Sequence, residues 1–254
     1  MPAAAAVAMT AASPGVRIAL WSGPRNISTA MLRAWENRSD TVVCDEPLYG
    51  HYLAATGLDH PGREAVIASQ PTDWRSVVAG LIGPIPGGAA IFYQKHMAHH
   101  LLPVIDRGWL DRLANGLLIR SPREVLASYV RTRDDPDLAD LGFVQQVEIF
   151  ERICDRRGRV PPILDARDVL EHPRRMLTLL CEAVGVPFSE RMLAWPAGRR
   201  ASDGVWAPHW YANVERSTGF APYRPPEPLA DRLRPLADAC EPFYRRLHHH
   251  RLRP

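Results

Sequence analysis

The stretch Arg17-Ile18-Ala19-Leu20-Trp21-Ser22-Gly23-Pro24-Arg25-Asn26-Ile27-Ser28-Thr29-Ala30-Met31-Leu32 decides how the chain is read. Its apolar opening is too short for a helix, Gly23-Pro24 breaks the run, and helical spacing resumes at Ser28. The pattern predicts a strand, a tight turn and a helix start. The first turn of a helix presents unpaired backbone N–H groups and the positive end of its dipole. Arg25, Ser28 and Thr29 add side-chain donors, so the turn suits a phosphate or sulfate. The nucleotide-binding pattern G-x-x-x-x-G-K-[ST] is not met, because the second glycine and the lysine are missing. That disfavours a kinase or NTPase. An ordinary strand–helix connection capped by Asn26 or Ser28 stays open beside the anion cradle.

Outward from this turn, strand and helix patterns alternate. Thr41 to Cys44 is a β-branched run that halts at Pro47 and delivers Asp45 and Glu46 to a strand end. Helical patches follow at Gly62 to Ser69 and Asp73 to Leu81, before Pro84-Ile85-Pro86-Gly87-Gly88 breaks the chain. A third strand, Ala89 to Lys95, ends in His96, and Leu101 to Leu113 has helical spacing. The fourth strand, Leu117 to Arg120, runs into Ser121-Pro122-Arg123-Glu124, an N-cap, an N1 proline and an acidic first turn that open a helix. Phe143 to Arg157 reads as an amphipathic helix, Pro162 to Ala166 as a strand, and Pro173 to Val184 as a helix stopped by Gly185. Pro187 to Pro226 is irregular and aromatic, and a last helix is predicted from Pro228 to Leu247. This order predicts an α/β fold of three layers, a mostly parallel sheet flanked by helices, with ligands bound outside the carboxyl ends of the strands. Those ends carry Ser22 to Thr29, Asp45, Glu46, Lys95, His96 and Arg120, with Ser128 on the helix that follows.

The 254 residues fit one domain, 16–254, after an alanine-rich extension, 1–15, expected to be flexible. Positive and negative residues are interspersed and sum to +3, which leaves no footprint for nucleic acid. The first residues lack a basic region ahead of an apolar stretch, and no apolar run reaches membrane-spanning length. A soluble, cytoplasmic protein is expected, and no pattern specifies its oligomeric state. Cys44, Cys154, Cys181 and Cys240 stand far apart without zinc-ligand spacing and read as buried thiols. His248-His249-His250 reads as a solvated tail, so no metal is expected.

Taken together, these segments resemble the sulfotransferases that use 3′-phosphoadenosine 5′-phosphosulfate (PAPS), whose fold is P-loop-like. In that family a P-K-S-G-T-T turn binds the 5′-phosphosulfate, and Pro24-Arg25-Asn26-Ile27-Ser28-Thr29 stands in its place, preceded by Ser22 and Gly23. Arg25 replaces the lysine, keeping the charge and adding a bidentate fork. The family's 3′-phosphate motif, R-x-P-x-x-x-x-x-S-Y, is similar to Arg120 through Tyr129, which implies Arg120 and Ser128 as ligands. Ile163 to Pro173 resembles the strand and helix of Y-E-D-L-x-x-x-P. Arg216-Ser217-Thr218-Gly219 resembles the basic glycine loop that closes over the nucleotide.

What the resemblance implies is transfer of the sulfuryl group from PAPS to a hydroxyl or amine of a small-molecule acceptor, by in-line attack with a protein base. The product is 3′-phosphoadenosine 5′-phosphate (PAP). Such chemistry needs positioning and charge stabilisation and no metal. Two residues compete for the base. Lys95-His96 resembles the family's K-x-H, in which the lysine contacts the sulfate, and Asp45-Glu46-Pro47 resembles the E-P pattern of bacterial members. A histidine is tuned for neutral pH, whereas Glu46 would need its pKa raised by burial. Glu46 is preferred on its motif. Trp195 to Tyr223 is a candidate acceptor lid. His99 and His100 are expected on a helix surface, away from the site. A nucleotide- or phosphate-ester-binding protein without transferase activity is the alternative, and an atypical P-loop kinase the third.

Overall fold

The computed structural model describes residues 15–131, 135–226 and 228–254. Apart from Gly15, the extension expected to be flexible lies outside the described residues. The deciding stretch folds as strand β1 (Val16–Ser22), a turn, and helix α1 (Ser28–Glu36). Next come β2 (Thr41–Asp45), α2 (Tyr49–Thr56), α3 (Arg63–Ser69), α4 (Trp74–Ile82) and β3 (Ile91–Met97). The second half comprises β4 (Ala114–Ile119), α5 (Pro122–Tyr129), α6 (Phe143–Arg157), β5 (Ile163–Asp165), α7 (Ala166–Glu171) and α8 (Pro173–Val184). Two single-turn helices, α9 (Ala207–Trp210) and α10 (Ala212–Glu215), and the terminal α11 (Arg234–His249) complete the chain.

The strands form one parallel sheet in the order β2-β3-β1-β4-β5. From β1 the chain travels outward to β2, returns beside β1 as β3, then crosses to β4 on the other flank. The switch point therefore falls at the carboxyl end of β1, between β3 and β4, where an α/β sheet opens a crevice. Alternation sorts the side chains. Ile18, Leu20, Ile91 and Tyr93 pack with Met31, Leu32 and Trp35 of α1 and Met176, Leu177 and Leu180 of α8. Ala19, Trp21 and Phe92 face the opposite layer, built on Val77, Val78 and Leu81 of α4 and Ile149 and Ile153 of α6. Burial on both faces is why β1 reads as an unbroken apolar run.

The structure departs from the local expectations at three places. Leu101 to Leu113 is not a helix. Arg107 donates to the carbonyls of Leu101 at 3.1 Å, Leu102 at 2.7 Å, and Ile105. The guanidinium gathers those carbonyls, the Leu102 carbonyl also accepting from Ile105 N at 3.0 Å in a single turn, and only a short 3₁₀ turn, Gly108–Arg112, follows. Helix α2, which follows directly on Pro47, has no helix-start signal; Tyr49, Tyr52 and Leu53 are buried against Val66 and Trp206, and tertiary packing supplies what propensity does not. The last helix begins at Arg234, later than the expected Pro228, and continues through Pro242 to His249. All four cysteines are free thiols; Cys181 and Cys240 are buried, Cys44 and Cys154 partly so. Among the described residues no helix is long and apolar enough to cross a membrane.

Leu180 is fully buried at the centre of the layer that joins α8 to the sheet. Leu180→Ala is expected to lower stability by about 2–5 kcal/mol. Denaturant unfolding should show a lower midpoint with an unchanged slope.

Candidate active site

The turn after β1 is shaped by close approach and by a strained residue. A Cβ on Gly23 would lie 2.5 Å from the Leu141 carbonyl oxygen, so only glycine fits. Arg25 has φ 56°, a left-handed conformation unusual for a side-chain-bearing residue. Three contacts hold it. Its carbonyl accepts from Arg120 Nη1 at 2.9 Å, its Nε donates to Ser128 Oγ at 3.1 Å, and neighbouring Asn26 Nδ2 donates to the Leu118 carbonyl at 3.0 Å. No side chain caps α1, whose N-cap position is Ile27; Asn26 Oδ1 instead accepts from the Ile27 N–H. The head of the helix, Ser28 to Ala30, opens onto a cavity of about 390 Å³. Arg120 and Ser128 border the same cavity. Arg120 is steadied by Glu124 at 2.9 Å, and Tyr223 OH donates to that carboxylate at 3.0 Å.

Along the sheet edge the cavity reaches Lys95 and Glu46. Lys95 pairs in register with Asp45 across β2 and β3, and its Nζ lies 2.8 Å from Asp45 Oδ1, 2.5 Å from Glu46 Oε1 and 2.9 Å from Tyr211 OH. Tyr211 OH donates to Asp45 Oδ2 at 2.6 Å and accepts from Trp206 Nε1 at 3.1 Å. Burial alone would lower the Lys95 pKa. Asp45 and then Glu46 outweigh it, and the ammonium is held well above its ordinary value. Burial pushes the Glu46 carboxyl up, opposed by Lys95 and reinforced by Asp45. Glu46 also has positive φ, 43°. Its N–H donates to the Lys95 carbonyl at 2.9 Å, and its own carbonyl accepts from Tyr49 N at 3.0 Å and Gln70 Nε2 at 3.1 Å.

The far wall is aromatic. Tyr49, Tyr52, His60, His99, His100 and Trp210 line it. His100 stacks on Tyr49 at 4.7 Å and Tyr52 at 4.6 Å, and burial holds it neutral, its pKa well below the usual histidine value.

The fold thus joins Pro24 to Thr29, Glu46, Lys95, Arg120, Ser128, Ser217 and Gly219 around one cavity. Ser22 and Gly23 lie beneath it: Ser22 is buried, with its hydroxyl on the His96 carbonyl at 3.4 Å. His96 is not brought to the cavity. It points to the other face of the sheet, stacks on Trp21 at 4.2 Å, contacts Gln94 at 3.2 Å, and burial pushes its pKa down to about 3. Arg216 turns to Asn213 Oδ1 at 2.8 Å, and Thr218 offers its carbonyl to Trp195 N at 3.0 Å; neither lines the cavity. His99 and His100, expected on a helix surface, line it instead, because β3 runs on to Met97 and a 3₁₀ turn carries them over its end. Of the aromatic segment, Trp210 and Tyr211 border the cavity, whereas Trp195 is core. Motif spacing missed Tyr49, Tyr52, His60 and Tyr211. The aromatic density around residue 210 was the only signal for the last of these.

A family model described as a sulfotransferase domain matches residues 16–251. The Arabidopsis thaliana protein named Branched-chain-amino-acid aminotransferase-like protein 1 is 36% identical over 201 residues, 79% of this chain and 36% of that protein. The chain therefore spans only about a third of that relative's length. Among solved structures, the sulfotransferase domain from the curacin biosynthetic pathway aligns with a TM-score of 0.52 at 17% identity, covering 95% of this chain and 99% of its own. A sulfotransferase from Alicyclobacillus acidocaldarius gives 0.53 at 12%, covering 94% and 98%. At such identities these two matches establish the α/β fold, and the match over nearly the whole chain establishes that it belongs to the sulfotransferase domain family.

Proposed function

We propose that this chain moves the sulfuryl group of PAPS to a hydroxyl or amine of a small acceptor, with Glu46 as the general base. The observation that carries the reading is the 3.1 Å hydrogen bond from Arg25 Nε to Ser128 Oγ. It joins the two motifs, 103 positions apart, at one end of one cavity.

The residues fit that donor. The uncapped head of α1, the close-packed Gly23 and two arginines form a basic end, suited to phosphate and sulfate groups. Pro24 to Thr29 would hold the 5′ end, and Arg120 and Ser128, with Ser217 and Gly219, the 3′ end. When bound, PAPS supplies an electrophilic sulfur and a phosphate leaving group. Glu46 takes the acceptor's proton from a buried position that favours a raised pKa. Arg25 and the N–H groups at the head of α1 stabilise negative charge. The rings of Tyr49, Tyr52 and Trp210 exclude water around the acceptor.

Calorimetry with PAP tests the nucleotide site: the wild type should bind at micromolar levels, and changing Arg120 and Ser128 together to alanine should weaken binding by about 10–100-fold. Binding indifferent to that pair would sink the reading. For the base, Glu46→Gln should lower turnover by about 10²–10⁴-fold with PAP affinity held within about twofold. In the same assay His96→Ala should lose far less per folded molecule. A larger loss for His96→Ala would reverse the assignment.

A further inference from the structure

The lysine on β3 poses a problem of hydrogen-bond supply. An ammonium has three N–H donors and no acceptor. At Lys95 all three have partners within the protein: Asp45 Oδ1 at 2.8 Å, Glu46 Oε1 at 2.5 Å and Tyr211 OH at 2.9 Å. Its side chain is 2% exposed, and Asp45 is equally enclosed at 1%. To reach a sulfuryl oxygen, Lys95 would have to give up one of these bonds in a buried setting, where an orphaned charge is strongly penalised. Arg25 and the head of α1 already provide donors to an anion without such a loss.

We infer that Lys95 is a positioning residue: with Asp45 and Tyr211 it fixes the carboxylate of Glu46 at the acceptor end of the cavity and does not contact the transferred group. This deepens the proposed function and rests on it for the role of Glu46.

The surroundings make the electrostatics readable. From the end of β2 and the residue after it, Asp45 and Glu46 face Lys95; from the junction of α9 and α10, Tyr211 does. Tyr93 on the same face of β3 is buried and kept protonated, and His100 is buried and kept neutral. Among the described residues, Lys95 is thus the cation set against both carboxylates of this cluster. Burial raises the Glu46 carboxyl, and because Asp45 shares Lys95 and adds a like charge of its own, the ammonium does not cancel that rise.

The test begins on nucleotide-free protein, following the Glu46 carboxyl carbon by ¹³C NMR across pH, assigned with Glu46→Gln. Asp45→Asn removes a like charge and leaves Lys95 to Glu46 alone, so the Glu46 titration should move down by about 1 pH unit or more. Lys95→Met should move it up by about as much. A Glu46 titration that neither substitution shifts would overturn the inference. Equilibrium binding of PAPS and of PAP to Lys95→Met then isolates the sulfuryl group. The ratio of the two affinities should stay within about twofold of the wild type, whereas a selective tenfold loss of PAPS affinity would show that Lys95 holds the transferred group. Should Lys95→Met fail to fold, the double variant Asp45→Asn/Lys95→Met, which removes one charge of each sign, replaces it in both measurements, read against Asp45→Asn. Failure of the wild type to bind either nucleotide would remove the PAPS reading, while the carboxyl titration would still decide the role of Lys95.

Discussion

In a parallel sheet every strand delivers its last residue to one edge, and the rest of this molecule follows from that constraint. β1, β2, β3 and β4 end in or beside Arg25, Glu46, Lys95 and Arg120, residues that no short-range rule would bring together. Gathering like charges is costly, and the structure offsets the cost by partition. The arginines sit at the end under the head of α1, while Lys95 is enclosed with Asp45 and Glu46. Paired buried charges are tolerated where geometry and extra hydrogen bonds complete them, and Tyr211 supplies those bonds.

Two residues of the cavity, Arg25 and Glu46, adopt positive φ. Such conformations cost of order 1–3 kcal/mol each and persist only where surroundings over-determine them. Both are over-determined. Arg25 is tied through its carbonyl to Arg120 and through its side chain to Ser128, and Glu46 through its backbone to β3, α2 and Gln70. The strain aims one residue at each end of the cavity.

The segment after α8 is irregular without being loose. Asp203 pairs with the buried Arg33 of α1 at 2.6 Å, and Asn37 donates to the carbonyls of Arg191 and Ala194 at 2.7 Å each. Ala194 bridges to Gly219. These ties fix the base of the segment against α1 and leave Trp210 and Tyr211 to wall the aromatic end, with Trp206 packed behind and Tyr211 reaching the buried lysine.

The sequence alone determined the alternation of strands and helices, because period-two and period-3.6 apolar patterns, prolines at helix starts and glycines at helix ends are local signals. Pro173 to Val184 with its Gly185 stop is read to the residue, and so is Phe143 to Arg157. The turn from Pro24 to Thr29 and the pair Arg120 and Ser128 were legible for the same reason, as short runs with fixed spacing. Tertiary structure decided what depends on facing. Strand pleating sends Lys95 to the cavity and its neighbour His96 into the core beside Trp21. The sheet order puts Tyr211 against a strand more than a hundred positions away, and the guanidinium of Arg107 undoes a helix that its own neighbours' spacing favoured. A side chain's type is written in the chain, but the partner that sets its charge, orientation and access exists only once distant strands have met.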